Sequence, residues 1–228
     1  MPRTPAPRPA PKSKSTSTST STSTTILLVR HGVTATTGKV LPGRAAGLHL
    51  SAKGVEQADV AAQRLADLTA APSALYASPL ERTRETAAPI ARALNLRVTT
   101  DKGLLECDFG DWTGKTLASL RRKTEWRAVQ GAPSTFRFPH GESFTEMQLR
   151  IWTTLERLAC DHPGETVVVV SHADPIKAAV TYAQGVPLDL FQRTVISTCS
   201  ISALVLTGTT PIVLSVNNTG SLKELIAS

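Results

Sequence analysis

Four side chains at the ends of apolar runs could together hold and attack a phosphate group. Arg30 and His31 follow Ile26-Leu27-Leu28-Val29, with Gly32 next. Arg82 comes shortly after Ala74-Leu75-Tyr76-Ala77, and His172 follows Thr166-Val167-Val168-Val169-Val170 by two residues. Short apolar runs of this kind read as buried strands. In open α/β sheets, ligands bind beyond the carboxyl ends of the strands. An arginine fork pairs bidentately with phosphate oxygens, and a neutral imidazole can act as a covalent nucleophile. Gly32 lets the backbone turn tightly or approach a ligand.

The elements needed to position these groups can be read in order. The chain has 228 residues, enough for one α/β domain or two small ones. Aromatics are only 4%, so the core must be mainly Val, Leu, Ile and Ala. Ser51 opens a predicted helix to about Leu68, with Val55, Ala58, Ala61, Ala62 and Leu65 on its apolar face. A second helix is expected from Leu80 to Leu94, kinked or shortened by Pro89. Arg82 lies in its first turn, where a helix favours anions. Of Arg82 and Arg84, one is expected to pair with Glu81 or Glu85 on the helix surface. Leu96 to Thr99 reads as a strand. Leu117, Leu120, Trp126 and Val129 suggest one short helix carrying Arg121, Arg122, Lys123 and Arg127. Ser143 and Glu146 form a capping box for a helix to about Cys160, with Phe144, Met147, Leu149, Ile151, Leu155 and Leu158 mostly inward. Asp174-Pro175 looks like a helix cap followed by the first helical residue, ending near Gly185. Ser200–Leu206 and Ile212–Val216 read as a last hairpin at the sheet edge.

Composition narrows the partners. Residues 1–24 are rich in Pro, Ser and Thr and lack large aliphatic side chains after Met1, so they read as a disordered basic tail. They have no apolar core of a secretory signal, and no later stretch is long enough to cross a membrane. The formal charge is +7. Taking the tail's Arg3, Arg8, Lys12 and Lys14 from the 25 basic residues leaves 21 against 18 acids, a net +3 for residues 25–228. With no interleaved aromatics and no recognised module, a nucleic-acid partner is not expected. Cys107, Cys160 and Cys199 make neither a disulfide framework nor a zinc pattern, which suits a reducing cytoplasm. Cys107 reads as a small buried filler.

Four ordered motifs resemble the histidine phosphatase superfamily, which includes the phosphoglycerate mutases. They are Leu28-Val29-Arg30-His31-Gly32, Ser78-Pro79-Leu80-Glu81-Arg82-Thr83-Arg84-Glu85-Thr86-Ala87, Leu104-Leu105-Glu106-Cys107-Asp108-Phe109-Gly110-Asp111-Trp112-Thr113-Gly114 and Ser171-His172. The resemblance runs from about Thr25 to the end of the chain. It implies a three-layer α/β/α sandwich with a mostly parallel central sheet. It also implies His31, Glu106 and His172 as catalytic groups, and Arg30, Arg82, Thr37 and the residue after the second histidine, Ala173, as phosphate ligands. Many members carry Asn where this chain has Thr37, whose hydroxyl offers a single donor. Arg44 in the loop Thr34–Leu50 and Trp112 are possible substrate contacts, and residues 115–140 correspond to an insertion that covers the site. The resemblance puts Glu106 ahead of the rival acids Asp108 and Asp111. His140 reads as structural.

The expected activity is hydrolysis of a small phosphorylated metabolite through a phosphohistidine. No cofactor or metal is expected, because a metal held by His31, His172 and Glu106 would lie beside the Arg30 cation. A phosphoglycerate mutase-type phosphomutase is the alternative. Glycolytic mutases usually follow the second histidine with Gly-Asn, whereas this chain has Ala173-Asp174-Pro175, which favours a phosphatase. A non-catalytic phospholigand-binding protein on the same fold, and a homodimer, are further possibilities.

Overall fold

The computed structural model describes residues 23–208 and 210–222, so the tail reading falls outside it for residues 1–22. Six strands form one sheet: β1 (Thr24–Arg30), β2 (Ala74–Ala77), β3 (Val98–Thr100), β4 (Thr166–Ser171), β5 (Ile201–Leu206) and β6 (Ile212–Asn218). Their order is β3-β2-β4-β1-β5-β6. The first four run parallel, and β5 and β6 are antiparallel additions at one side. Thr24 belongs to the sheet, opposite Leu206, so the folded region begins one residue earlier than composition suggests.

Among the described residues there are six α-helices: α1 (Ala52–Ala66), α2 (Glu81–Leu94), α3 (Leu117–Leu120), α4 (Trp126–Gly131), α5 (Phe144–Asp161) and α6 (Ala173–Ala183). Alternate residues of a strand face opposite sides, and that alternation makes the layers. Leu27, Val29, Val168 and Val170 pack with Ala62 and Leu65 of α1 and Ala87 and Ile90 of α2. Ile26, Leu28, Val167 and Val169 pack with Ile151 and Leu155 of α5 and Ile176 and Ala179 of α6. The architecture is therefore a three-layer α/β/α sandwich with a mostly parallel sheet.

Several local expectations change. Helix α2 runs through Pro89 to Leu94, because Pro89 and Ile90 are buried and Asn95 closes the helix in the left-handed conformation (φ 53°). Burial of that face outweighs the missing backbone donor. Val55 and Leu149 point outward, half or more exposed, while Ala58, Ala61, Ala62 and Leu65 of α1 and Phe144, Met147, Ile151, Leu155 and Leu158 of α5 are buried as expected. The expected single helix near residue 120 is two short ones, α3 and α4, and Arg121, Arg122, Lys123 and Arg127 are all exposed. The capping box of Ser143 and Glu146 is present at the start of α5. His172, not Asp174, is the N-cap of α6, so Asp174 and Pro175 are its second and third residues.

Strand register gathers the chemistry. Arg30 pairs with Ser171 across β1 and β4, and Ala77 pairs with Val170 across β2 and β4. The next hydrogen bonds continue the ladder: His31 N–H to Ser171 O (3.0 Å) and Ser78 N–H to Val170 O (3.0 Å). Arg30-His31, Ser78 and Ser171-His172 thus leave the same edge side by side. Gly32 is required by packing here: a Cβ on it would lie 2.5 Å from the Gly54 carbonyl oxygen in the first turn of α1.

Candidate active site

His31 stands at the centre, almost fully buried. Its Nδ1 lies 2.8 Å from the Gly32 carbonyl oxygen, which can only accept. The neutral ring therefore carries its proton on Nδ1 and leaves the Nε2 lone pair free. Burial first, and then the Arg82 and Arg30 cations, push its pKa down to about 3 against the opposing pull of the Gly32 hydrogen bond. The ring is thus neutral at any physiological pH. Its backbone is held from below by Thr86, whose hydroxyl oxygen accepts the Gly32 N–H (3.0 Å) and donates to the Arg82 carbonyl (2.7 Å).

His172 meets His31 edge to face, with ring centroids 5.2 Å apart. It is wholly buried, and its pKa is lowered well below the usual value by burial and by Arg82 and His31. Its Nε2 is 2.8 Å from Ser78 Oγ, and its Nδ1 has no partner. Ala173 follows as the first residue of α6, so its amide is one of the first-turn N–H groups that lack an intrahelical acceptor.

The two arginines are anchored by one end. Arg30 donates through Nη1 to the Ile196 carbonyl (2.6 Å), and Arg82 through Nη2 to the Gly43 carbonyl (2.8 Å). Arg30 Nε, Arg82 Nε and Arg82 Nη1 are buried without a partner. Burial lowers the pKa of both guanidiniums, partly offset by Glu106. Neither Arg82 nor Arg84 makes the expected helix-surface ion pair among the described residues. Glu81 instead accepts the Gly47 N–H, and Glu85 holds His49 and the Leu50 N–H.

Glu106 lies in the irregular segment between a single 3-10 turn at Lys102–Leu104 and the next at Gly110–Trp112. Its carboxylate accepts one hydrogen bond, from the Cys107 N–H (3.0 Å). Burial and the neighbouring Asp174 charge raise its pKa to about 7, against the pull of Arg82, the Cys107 N–H and Arg30. The rival acids are committed elsewhere: Asp108 accepts the Gly110 N–H and pairs with Arg44, and Asp111 pairs with exposed His140. Cys107 is buried with its thiol pKa pushed well up by burial, as befits a filler. Among the described residues, no three His, Cys, Asp or Glu side chains are grouped to hold a metal ion.

Thr37, Arg44 and Trp112 make contacts within the protein. The Thr37 hydroxyl accepts the Thr34 N–H (2.9 Å) and bonds the Thr34 hydroxyl (3.0 Å), so it closes its own loop. Arg44 donates through Nε to the Glu106 carbonyl (2.9 Å), through Nη1 to Asp108 and through Nη2 to Glu142, bracing the acid segment. Trp112 is buried among Phe136, Phe138 and Trp126, as core of the inserted segment. Sequence reading assigned no role to Ser78, Thr86, Ser171, Glu142 or Arg150. The first three sit inside the quoted motifs, one residue or a few from a named group. Glu142 and Arg150 carry no signal beyond being charged.

The chain matches the profile of the Histidine phosphatase superfamily (branch 1) over residues 26–219. It is 32% identical over 204 residues to Phosphoserine phosphatase 1 of Hydrogenobacter thermophilus, covering 87% of this chain and 94% of that one. It is 33% identical over 180 residues to the "Probable phosphoglycerate mutase GpmB" of Erwinia tasmaniensis, covering 78% and 82%. Among solved structures, a phosphoserine phosphatase from Entamoeba histolytica in complex with 3-phosphoglyceric acid superimposes with a TM-score of 0.77 at 25% identity, covering 86% of this chain and 98% of that one. No helix among the described residues is long and apolar enough to cross a membrane. With its profile match spanning nearly all of the described fold, the chain belongs to branch 1 of the histidine phosphatase superfamily.

Proposed function

We propose that the protein hydrolyses a small phosphomonoester through a phosphohistidine on His31. One observation carries the reading. Six side-chain polar atoms among the described residues are buried without a partner, and four of them are donors on Arg30, Arg82 and His172 around His31. Leaving a buried donor unpaired costs about 1–3 kcal/mol, more when it is charged. Four such donors together, three of them cationic, are a cradle for an anion with several acceptor oxygens.

The chemistry follows from the atoms. His31 Nε2 attacks phosphorus, an N–P bond forms and the ester P–O bond breaks. Arg30, Arg82, His172 and the Ala173 N–H hold the equatorial oxygens, the charge stabilisation on which phosphoryl transfer chiefly depends. His172 donates through Nδ1–H in the tautomer whose Nε2 accepts from Ser78. Protonated Glu106 gives its proton to the leaving alkoxide. The resulting carboxylate takes a proton from water as that water attacks phosphorus, orthophosphate leaves and His31 is restored. The guanidinium groups supply the positive charge a metal would otherwise bring.

A quenched-flow trapping experiment tests this. In excess chelator, a labelled phosphomonoester is expected to leave an acid-labile, alkali-stable label on the wild type and none on His31→Ala. Activity lost to the chelator, or a label that survives acid and falls on Ser or Asp, overturns the reading. Phosphatase over mutase is supported by Ala173-Asp174-Pro175 and by the phosphatase relative. The mutase reading draws on the relative that bears that name, and isomerisation of phosphoglycerates without phosphate release would establish it.

The same cradle gives a stability prediction. Inorganic phosphate at about a hundredfold excess over its Kd should stabilise the wild type by about 2.7 kcal/mol, a rise in Tm of several degrees for a domain of this size. Arg82→Met is expected to lose that response while its ligand-free Tm stays equal or rises, because a desolvated cation beside Arg30 has gone. A retained phosphate response measured by differential scanning fluorimetry would remove Arg82 from the anion site.

A further inference from the structure

The backbone around Glu106 is held by many hydrogen bonds from side chains. The Glu106 carboxylate accepts the Cys107 N–H, and residues 105–109 have no regular structure. Yet the four successive carbonyls of Gly103, Leu104, Leu105 and Glu106 are each taken by a side chain from outside the segment. Arg150 Nη1 donates to Gly103 O (2.8 Å) and Leu105 O (2.9 Å), and its Nη2 reaches Glu106 O (3.4 Å). Arg44 Nε donates to Glu106 O (2.9 Å). Ser171 Oγ, next to His172, donates to Leu104 O (2.8 Å).

Glu142 joins the two arginines. Its Oε1 accepts from Arg150 Nε (2.8 Å), and its Oε2 accepts from Arg150 Nη2 (2.9 Å), Arg44 Nη2 (3.0 Å) and the Asp108 N–H (3.2 Å). Its side chain is 12% exposed and that of Arg150 21%. A fork-to-fork Arg–carboxylate pair fixes orientation as well as charge. A buried pair of this kind is weak evidence for stability by itself, since desolvation offsets the attraction. Its geometric effect is to lock both guanidinium planes against the carbonyls that carry Glu106.

We propose that Glu142 is a positioning residue for proton delivery: by clamping Arg150 and Arg44 onto the carbonyls of residues 103–106, it holds the Glu106 carboxyl within reach of the leaving oxygen. The proposal rests on the hydrolysis reading above and deepens it. Misplacing a reacting group by about 1 Å can cost on the order of a hundredfold in rate. That cost falls only on esters whose leaving group needs a proton.

The test compares kcat/KM, which covers steps up to departure of the leaving alcohol, for two substrates. One is the alkyl phosphate hydrolysed best in a phosphomonoester panel, and the other is p-nitrophenyl phosphate, whose phenolate leaves unprotonated. Glu142→Gln is expected to slow the alkyl ester by about a hundredfold and leave the aryl ester nearly unchanged. In combination with Glu106→Gln it should add no further loss, since the two variants remove the same step. Equal losses on both esters, or additive losses in the double variant, overturn the proposal. If Glu142→Gln does not fold, Arg44→Lys, which keeps the charge but loses the Nε donor, puts the same question with the same outcomes. A His31→Ala protein that still hydrolyses both esters would instead sink the underlying hydrolysis reading.

Discussion

Replacing His31 with alanine is expected to lower kcat by roughly 10⁵- to 10⁶-fold, the scale of loss when a covalent nucleophile is removed. The loss should appear in kcat and not in affinity for phosphate. Arg30, Arg82 and His172 are anchored by Ile196, Gly43 and Ser78, none of which depends on the His31 ring. Their unpaired donors therefore remain in place when the imidazole goes. The phosphate-induced rise in Tm is expected to survive in His31→Ala, separating the anion cradle from the nucleophile. Added imidazole has room in the space left by the side chain and should restore part of the rate. Hydrolysis by His31→Ala close to the wild-type rate would mean that water attacks the ester directly and the histidine is only a ligand.

The cradle concentrates buried positive charge. Arg30, Arg82 and two neutral imidazoles are desolvated together; Glu106 is the largest opposing charge on both arginines, joined by Asp174 at Arg30 and Glu81 at Arg82. Burial costs cations much of their hydration, and the penalty is relieved only when an anion takes the donors. Sheet register and helix packing hold the groups there: β1 and β4 fix both histidines, and the buried first turn of α2 fixes Arg82. Preorganised donors of this sort need no rearrangement as charge develops on the transferring group.

The legible part of this protein is the part written in runs and ends. Ile26–Val29 and Thr166–Val170 announce strands by their apolar side chains, and the residues just past each run lie at one sheet edge. Arg30, His31, Arg82 and His172 could therefore be grouped before any contact was known. Side chains whose role depends on distant partners were not legible. Arg44 looks like a loop arginine, and only folding brings Glu142, 98 residues away, against it. Trp112 sits beside the acid in sequence, but Trp126, Phe136 and Phe138 draw it into the core of the inserted segment. Asp174 has the look of a helix cap, yet β4 hands directly into α6 at His172, two residues before Asp174-Pro175. Pro89 is expected to kink or shorten α2, because sequence shows the lost hydrogen bond and hides the burial of Pro89; the helix still reaches Leu94.

Glu106→Gln should then separate proton transfer from everything else at the site. Loss of a general acid typically costs 10²- to 10⁴-fold, about that range for alkyl phosphates here and far less for p-nitrophenyl phosphate. The pH profile carries the sign. Glu106 works as an acid only while protonated, and its pKa of about 7 keeps it so up to neutrality. His31 must be neutral to attack, and a pKa of about 3 leaves it neutral across the whole range above that value. The wild-type kcat/KM for an alkyl ester is therefore expected to fall on the basic side, with a limb near pH 7, apart from the ester's own phosphate ionisation near about pH 6. In Glu106→Gln that basic limb should vanish. Asp174→Asn should move it to lower pH, because the Asp174 charge is one of the two influences raising the Glu106 pKa. A basic limb that persists in Glu106→Gln, with both esters slowed alike, would assign the titrating acid to another group and leave Glu106 as a wall of the site.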